Sequence, residues 1–151
     1  MAVCVVRRSI TVRLAKPTEG PLLHQLAVAS EKWEIEGLDW NFSPTPYWLI
    51  AEYDGKAVGC MQVCPGVPIA RIEFLCVPTS LPRMLKARVV KAIVLQGVAT
   101  CKELKAQFVT GIIHDGMEGF GRVMARRGGY KWFRGDCYLF PTKVAKYENL
   151  S

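Results

Sequence analysis

The stretch FLCVPTSLPRMLKARVV, residues 74–90, decides how the rest of the chain is read. An apolar run that begins at Ile69 ends at Val77-Pro78, a short polar turn follows, and a basic helix begins at Pro82. Proline suits the first turn of a helix, where its missing N–H has no partner to lose. A strand, a turn and a helix N-terminus in this order aim unpaired N–H groups at whatever lies in front of them, and anions are the usual occupant. Phosphate-binding turns of this layout use glycine so that the main chain can come close. This turn has none.

Outward from this segment, the elements fall into place on both sides. Gln107 to Ile113 reads as a further strand, so the helix from Pro82 to about Leu104 is the crossover of a right-handed βαβ unit. The face of that helix is expected to carry Leu85, Val89, Ala92, Ile93 and Gln96. Upstream, Tyr47 to Tyr53 and Ala57 to Val63 are strands joined at Asp54-Gly55, the strongest hairpin signal in the chain. Pro65-Gly66-Val67-Pro68 turns the chain again into Ile69 to Val77. Ile10 to Leu14 alternates as a first strand, and Thr18-Glu19-Gly20-Pro21 opens a helix. Its buried stripe is expected at Leu22, Leu26, Ala29 and Trp33, with Gly37 as its stop. Residues 38–46 read as a loop. At the other end, Glu118 to Arg127 is a helix stopped by Gly128-Gly129, and Tyr130 to Phe140 is a closing strand rich in aromatics. The predicted order is β-α-loop-β-β-β-α-β-α-β: an α/β (α+β) mixed central sheet flanked by helices on both faces.

The chain has 151 residues, half of them hydrophobic, enough for a core, and no repeat or low-complexity linker divides it. A single domain over residues 1–151 is expected. No apolar run approaches the ~18 residues needed to span a bilayer, so no membrane partner is expected. The two arginines of the first eight residues follow the apolar ones, the reverse of a secretory signal. A cytoplasmic, intracellular protein is the expectation. A net charge of +7 favours anionic partners, but the basic clusters Arg83/Lys86/Arg88/Lys91 and Arg122/Arg126/Arg127 lack the interleaved aromatics of a single-strand platform. No motif indicates nucleic acid.

Six cysteines stand at 4, 60, 64, 76, 101 and 137, most of them inside apolar runs. Cys60 and Cys64 on one strand would lie about 13 Å apart, too far for a disulfide. The two histidines, His24 and His114, have no partner at zinc-ligand spacing, so no metal is expected. The spacing Gly116-Met117-Glu118-Gly119-Phe120-Gly121 matches G-x-x-G-x-G after a strand, but glycines in a strand-to-helix loop more often serve turn geometry than a phosphate.

The element order, with the segments ITVRLAKPTE, YWLIAEYDGKAVGCMQV, ARIEFLCVPTSLPR and GMEGFGRVMARRGGYKWF, resembles the GNAT superfamily of N-acetyltransferases over nearly the whole chain. The resemblance implies acetyl-CoA as cofactor. It assigns the acyl and pantetheine groups to backbone amides near Cys76 and Val77. It assigns the pyrophosphate to a turn whose pattern, R/Q-x-x-G-x-G/A, falls on Arg83-Met84-Leu85-Lys86-Ala87-Arg88. The leading arginine matches; Lys86 and Arg88 occupy the two glycine positions. The family's strand-four carboxylate falls on Glu73, a candidate general base. Its helix-four tyrosine, four residues before a Gly-Phe pair that is Gly129-Tyr130 here, falls on Ala125.

Two functions follow. The first is a GNAT-fold protein that is weakly active or inactive and works through assembly, with protein partners or copies of itself. Small bacteriophage proteins of this kind, some virion-associated and structural, are similar. Its contact points would be Trp40, Phe42, Tyr47 and Trp48, exposed in the 38–48 segment, and the basic faces. The alternative is an acetyl-CoA-dependent N-acetyltransferase acting on a small amine or a protein amine.

Overall fold

The computed structural model describes residues 8–31, 47–112 and 118–129. They fall in two compact units that divide after Ile112, and each is described by itself. In the first unit the order is β1 (Ile10–Leu14), α1 (Gly20–Ser30), β2 (Trp48–Tyr53), β3 (Lys56–Cys64), β4 (Ile69–Cys76), α2 (Arg83–Glu103) and β5 (Phe108–Gly111). The second contains α3 (Glu118–Arg126).

The five strands form one sheet in chain order, β1-β2-β3-β4-β5. The first three pairings are antiparallel and the β4–β5 pairing is parallel, as the crossover through α2 requires. Asp54 and Gly55 both take left-handed backbone angles, φ 53° and 74°, the type I′ geometry whose twist matches that of the flanking strands.

Side-chain alternation along β3 divides the core into two layers. Cys60 faces α1 and joins Leu23, Leu26, Ala27, Trp48, Ile50 and Cys76 in one buried cluster. Gly59, Met61 and Val63 face the other way, onto α2. A methyl group added at Gly97 of α2 would run into the end of Met61 and touch Ile72 and Val63. One added at Gly59 would come within 3.0 Å of Val89 and 3.2 Å of the Cys76 carbonyl oxygen. Helix and sheet therefore meet at a glycine on each, with a side chain of the other filling the space. The helices flank both faces of the sheet.

Several expectations change in detail. The buried positions of α1 are Gly20, Leu23, Leu26, Ala27 and Ser30, while Ala29 is exposed and Leu22 half-buried. With apolar residues at 22, 23, 26, 27, 28 and 29, two stripes of nearly equal hydrophobicity compete, and the sheet selects the one through Leu23. The helix stops at Ser30 because Glu31 turns left-handed at φ 56°. Trp33, Gly37 and the 38–46 loop, with Trp40 and Phe42, lie outside the described residues. On α2 the buried line runs Val89, Ile93, Gly97 and Cys101, with Val94 beside it, and Gln96 faces solvent. Trp48 is no contact point: it is 2% exposed and fills the core under α1. Gly119 and Gly121 sit inside α3 rather than in the loop before it, and Gly128, at φ 88°, ends that helix. His114, Gly116, Met117 and the closing strand at 130–140 lie outside the described residues.

Candidate functional site

The site begins where β4 and β5 part. Their ladder pairs Ile69 with Phe108, Ala70 with Val109, Arg71 with Thr110 and Ile72 with Gly111, and stops there. β4 continues for four more residues, Glu73 to Cys76, past the end of β5. On its other side β4 is bulged. Cys60 pairs with Cys76 but Gln62 pairs with Glu73, so β4 spends three steps where β3 spends two. The extra residue is accommodated at Phe74, whose φ of 50° is left-handed. A bulky residue at that angle is strained by roughly 1–2 kcal/mol, and surrounding contacts must hold it there. The Trp48 ring supplies one such contact, with centroids 6.1 Å apart. The bulge therefore falls in residues 73–76, immediately after the step at which the parallel ladder ends. Cys76 is buried at the end of this segment, and Val77 lies half-buried just beyond it.

Glu73 stands immediately before the bulge, half-buried, with 30% of its side chain exposed. Its Oε1 lies 3.3 Å from Arg71 Nε, and the Cys64 thiol donates to its Oε2 at 3.6 Å. Arg71 and Glu73 are alternate residues of β4, and Cys64 faces them from β3, so the three meet on one side of the sheet. Burial, then the nearby carboxylate, pushes the Cys64 thiol up to about 11, which keeps it a protonated donor at neutral pH. A carboxylate fixed by an arginine on one oxygen and by a weak thiol donor on the other can take a proton from a group brought against it. The period of two places Arg71 on the face of Glu73, so that pairing was legible in the sequence. Cys64 was missed as the second partner.

The turn Val77 to Pro82 leads into α2. Thr79 donates to the carbonyl oxygen of Ala29 through both its N–H, at 3.0 Å, and its hydroxyl, at 3.4 Å. This ties the turn to the end of α1 and satisfies a terminal helix carbonyl. Pro82 is the N-cap of α2 and offers no side-chain hydrogen bond, and the first turn holds no acidic residue. The positive end of a 21-residue helix is thus left without a neutralising group from its own first turn.

The two residues in place of glycines have distinct destinations. Lys86 folds back over the turn and its Nζ donates to the Thr79 carbonyl oxygen at 3.2 Å. An ammonium has three donors, so two remain. Arg88 leaves the turn altogether: it donates to the Arg8 carbonyl oxygen at 3.0 Å and lies 5.9 Å over the Tyr53 ring. Arg83 and Ala87 are exposed. Lys86 and Arg88 are therefore not brought together. In the second unit, Ala125 is exposed on α3, as are Arg122, Arg126 and Arg127.

No protein-family model matches the chain, and no curated protein is similar to it. Solved structures are. Rv2747 from Mycobacterium tuberculosis, solved in complex with CoA, superposes with a TM-score of 0.62 at 20% identity, over 75% of this chain and 69% of its own. The aminoglycoside acetyltransferase AAC(6')-Iy, bound to a CoA bisubstrate analogue, gives 0.63 at 14% identity over 88% and 99%. The aminoglycoside acetyltransferase meta-AAC0020, from an uncultured soil metagenomic sample, gives 0.60 at 15% over 87% and 97%. This is the GNAT fold. At these identities the likeness carries the architecture and nothing finer.

The GNAT fold implies an acyl-CoA, and the residues present fit one at two of three points. The end of the β4–β5 ladder is followed by the bulged backbone at 73–76, and the α2 N-terminus has no side-chain cap, with Lys86 folded back over the turn. The third point differs: side chains at 86 and 88 stand where glycines would let a phosphate touch the main chain. Among the described residues, no group of three His, Cys, Asp or Glu is placed to hold a metal, and no helix is long and apolar enough to cross a membrane.

Proposed function

We propose that this protein binds an acyl-CoA and transfers the acyl group to an amine slowly, as a weak N-acyltransferase. The observation that carries this reading is the coincidence of the Phe74 bulge with the end of the β4–β5 ladder at Ile72, directly beside Glu73. Strained backbone persists where something depends on it. Backbone near Cys76 and Val77 would receive the acyl arm, and Arg83, Lys86 and the N–H groups ahead of Ala87 would receive the phosphates, with Arg88 kept on Tyr53. The acyl-CoA supplies a thioester carbon open to attack. Glu73 takes the proton that the amine nitrogen gives up as its bond to that carbon forms. Nothing at Ala125 can protonate the departing sulfur, which then draws its proton from water. Losing a general acid typically costs ~10²–10⁴-fold, hence the slow rate.

A second reading has its own support. Lys86 and Arg88 are both engaged within the chain, an arrangement that a turn kept only for its shape would tolerate. In that case the protein is an assembly component that keeps the fold for its surfaces, inside the cell or in a virus particle, like the small bacteriophage proteins of this type. The loss of Trp48 to the core weakens the contact surface this reading invokes.

Thermal unfolding with acetyl-CoA separates the two. Ligand at about 100 times its Kd stabilises by ~2.7 kcal/mol, a shift of several degrees for a protein of this size. The first reading expects that shift, slow release of free CoA thiol in the presence of amines, and loss of release in Glu73→Gln with the shift retained. No shift, and no gain of one in Lys86→Gly/Arg88→Gly, overturns the acyl-CoA reading and leaves assembly.

A further inference from the structure

We infer that the acceptor site is built for an amine that carries a carboxylate beside its nitrogen, an α-amino acid or a compound with the same two groups. The inference deepens the reading of Glu73 as the residue that meets the acceptor amine, and rests on it. Its basis is Arg71. This guanidinium is 65% exposed and stands on the same face of β4 as Glu73, two residues earlier. The contact with Glu73 is made at Nε, 3.3 Å from Oε1, and most of the side chain is exposed. A guanidinium has five N–H donors, so its planar fork of terminal N–H groups can meet a ligand. Such a fork matches a carboxylate bidentately, which an ammonium could not do.

The charges on this face complete the argument. Arg71 and Glu73 touch, so a positive and a negative group sit side by side above the sheet, at the step where the β4–β5 ladder ends. A ligand complementary to that pair carries a negative and a positive group equally close together. An α-amino acid does: its carboxylate faces Arg71 while its ammonium faces Glu73, and the nitrogen arrives beside the candidate base. A simple amine would satisfy Glu73 and leave the fork of Arg71 unused. A carboxylate without an amine would meet Glu73 as a like charge. The neighbouring half-buried Gln62, the register partner of Glu73, and Thr110, that of Arg71, add polar groups for the same ligand.

The test compares matched pairs by ligand-observed NMR and by acetylation assay: tyrosine against tyramine, phenylalanine against phenethylamine, lysine against cadaverine. The inference expects the carboxylate-bearing member of at least one pair to bind about tenfold or more tightly, the worth of hydrogen bonds between charged groups. Arg71→Gln should remove that preference and Arg71→Lys restore part of it. In turnover the loss should appear in KM, because the carboxylate is held alike before and during reaction. Decarboxylated amines that bind as well as their parents, no amino acid binding at all, or a preference that survives Arg71→Gln would overturn it. Saturation transfer needs no acyl-CoA, so failure of the acyl-CoA reading shows separately as the absence of the acetyl-CoA melting shift.

Discussion

Glu19 accepts from Arg13 through both carboxylate oxygens, at 2.7 and 2.8 Å, and from the Lys16 N–H at 2.7 Å. Arg13 reaches on to Glu52 of β2 at 3.1 Å, so one guanidinium joins β1, β2 and the start of α1. The Arg13 hydrogen bonds hold the Glu19 carboxyl down at about 2, against an ordinary value of 4.5. A carboxyl depressed on folding stabilises the protein above its unfolded value and loses that contribution as pH falls through the folded one. Glu19→Gln should therefore cost roughly 1–2 kcal/mol at pH 7, and the gap from the parent should close between pH 4.5 and 2 in thermal melts. A gap constant across that range would contradict the pairing. Thiol chemistry gives a second check. Cys60, Cys76 and Cys101 are buried, while Cys64 is half-buried with its thiol raised to about 11. Among these four cysteines of the described residues, iodoacetamide should modify Cys64 first and slowly at pH 8 in the native protein, as peptide masses would show. Part of the rise comes from the Glu73 carboxylate, so Glu73→Gln should lower the thiol's pKa and speed the reaction.

At the level of elements, β4 offers a test in which the usual order of two residues reverses. Glycine in a strand is ordinarily less stable than alanine by about 0.5–1 kcal/mol. At Phe74 both lose the ring contact with Trp48, but only glycine relaxes at φ 50°. Phe74→Gly should then be more stable than Phe74→Ala by about 1 kcal/mol in urea unfolding, though both fall below the parent. The contact of α2 with the sheet makes another prediction. Gly97→Ala gains up to ~1 kcal/mol of helix propensity but must displace the Met61 methyl group, so it should stay within about 1 kcal/mol of the parent. Gly97→Leu, which must move Ile72 and Val63 as well, should cost ~1–3 kcal/mol. What was legible in the sequence follows the same lines. The Asp54-Gly55 hairpin and the crossover after Pro82 are written in local turn chemistry, and they suffice for the mixed sheet. The bulge is not, because no glycine or asparagine announces it and a phenylalanine carries it. The buried stripe of α1 keeps Leu26 but moves to Leu23 and Ala27, because that helix offers apolar side chains on more than one side, whereas on α2 Val89 and Ile93 are buried as expected and Gly97 takes the place of Gln96. Glu73 could be found by its strand position, whereas the bond from Arg88 to the Arg8 carbonyl joins residues 80 apart and leaves no local trace.

On the scale of the whole molecule, an excess of seven positive charges predicts salt-dependent contact with anions, acyl-CoA phosphates included. Raising salt from 50 to 500 mM should weaken any acetyl-CoA melting shift, since the groups proposed to meet the phosphates are lysine, arginine and a helix end rather than a glycine cradle. The order of the strands carries a consequence of a different kind. β2, β3 and β4 follow one another across short turns, so their pairings can form as soon as each strand leaves the ribosome, with little loop entropy to overcome, whereas β1 and β2 close across some thirty residues. β5 comes last: it must wait for all of α2 before it can lie parallel to β4. Synthesis would then deliver a four-stranded meander whose β4 edge, from Ile69 to Cys76, stays open for the time it takes to make the next thirty or so residues, one to several seconds at typical elongation rates. An open strand edge is where chains join one another. Misassembly of this protein should therefore be a hazard of its synthesis more than of its finished state, greatest for chains that stall within α2 and eased once β5 has paired with Ile69 to Ile72.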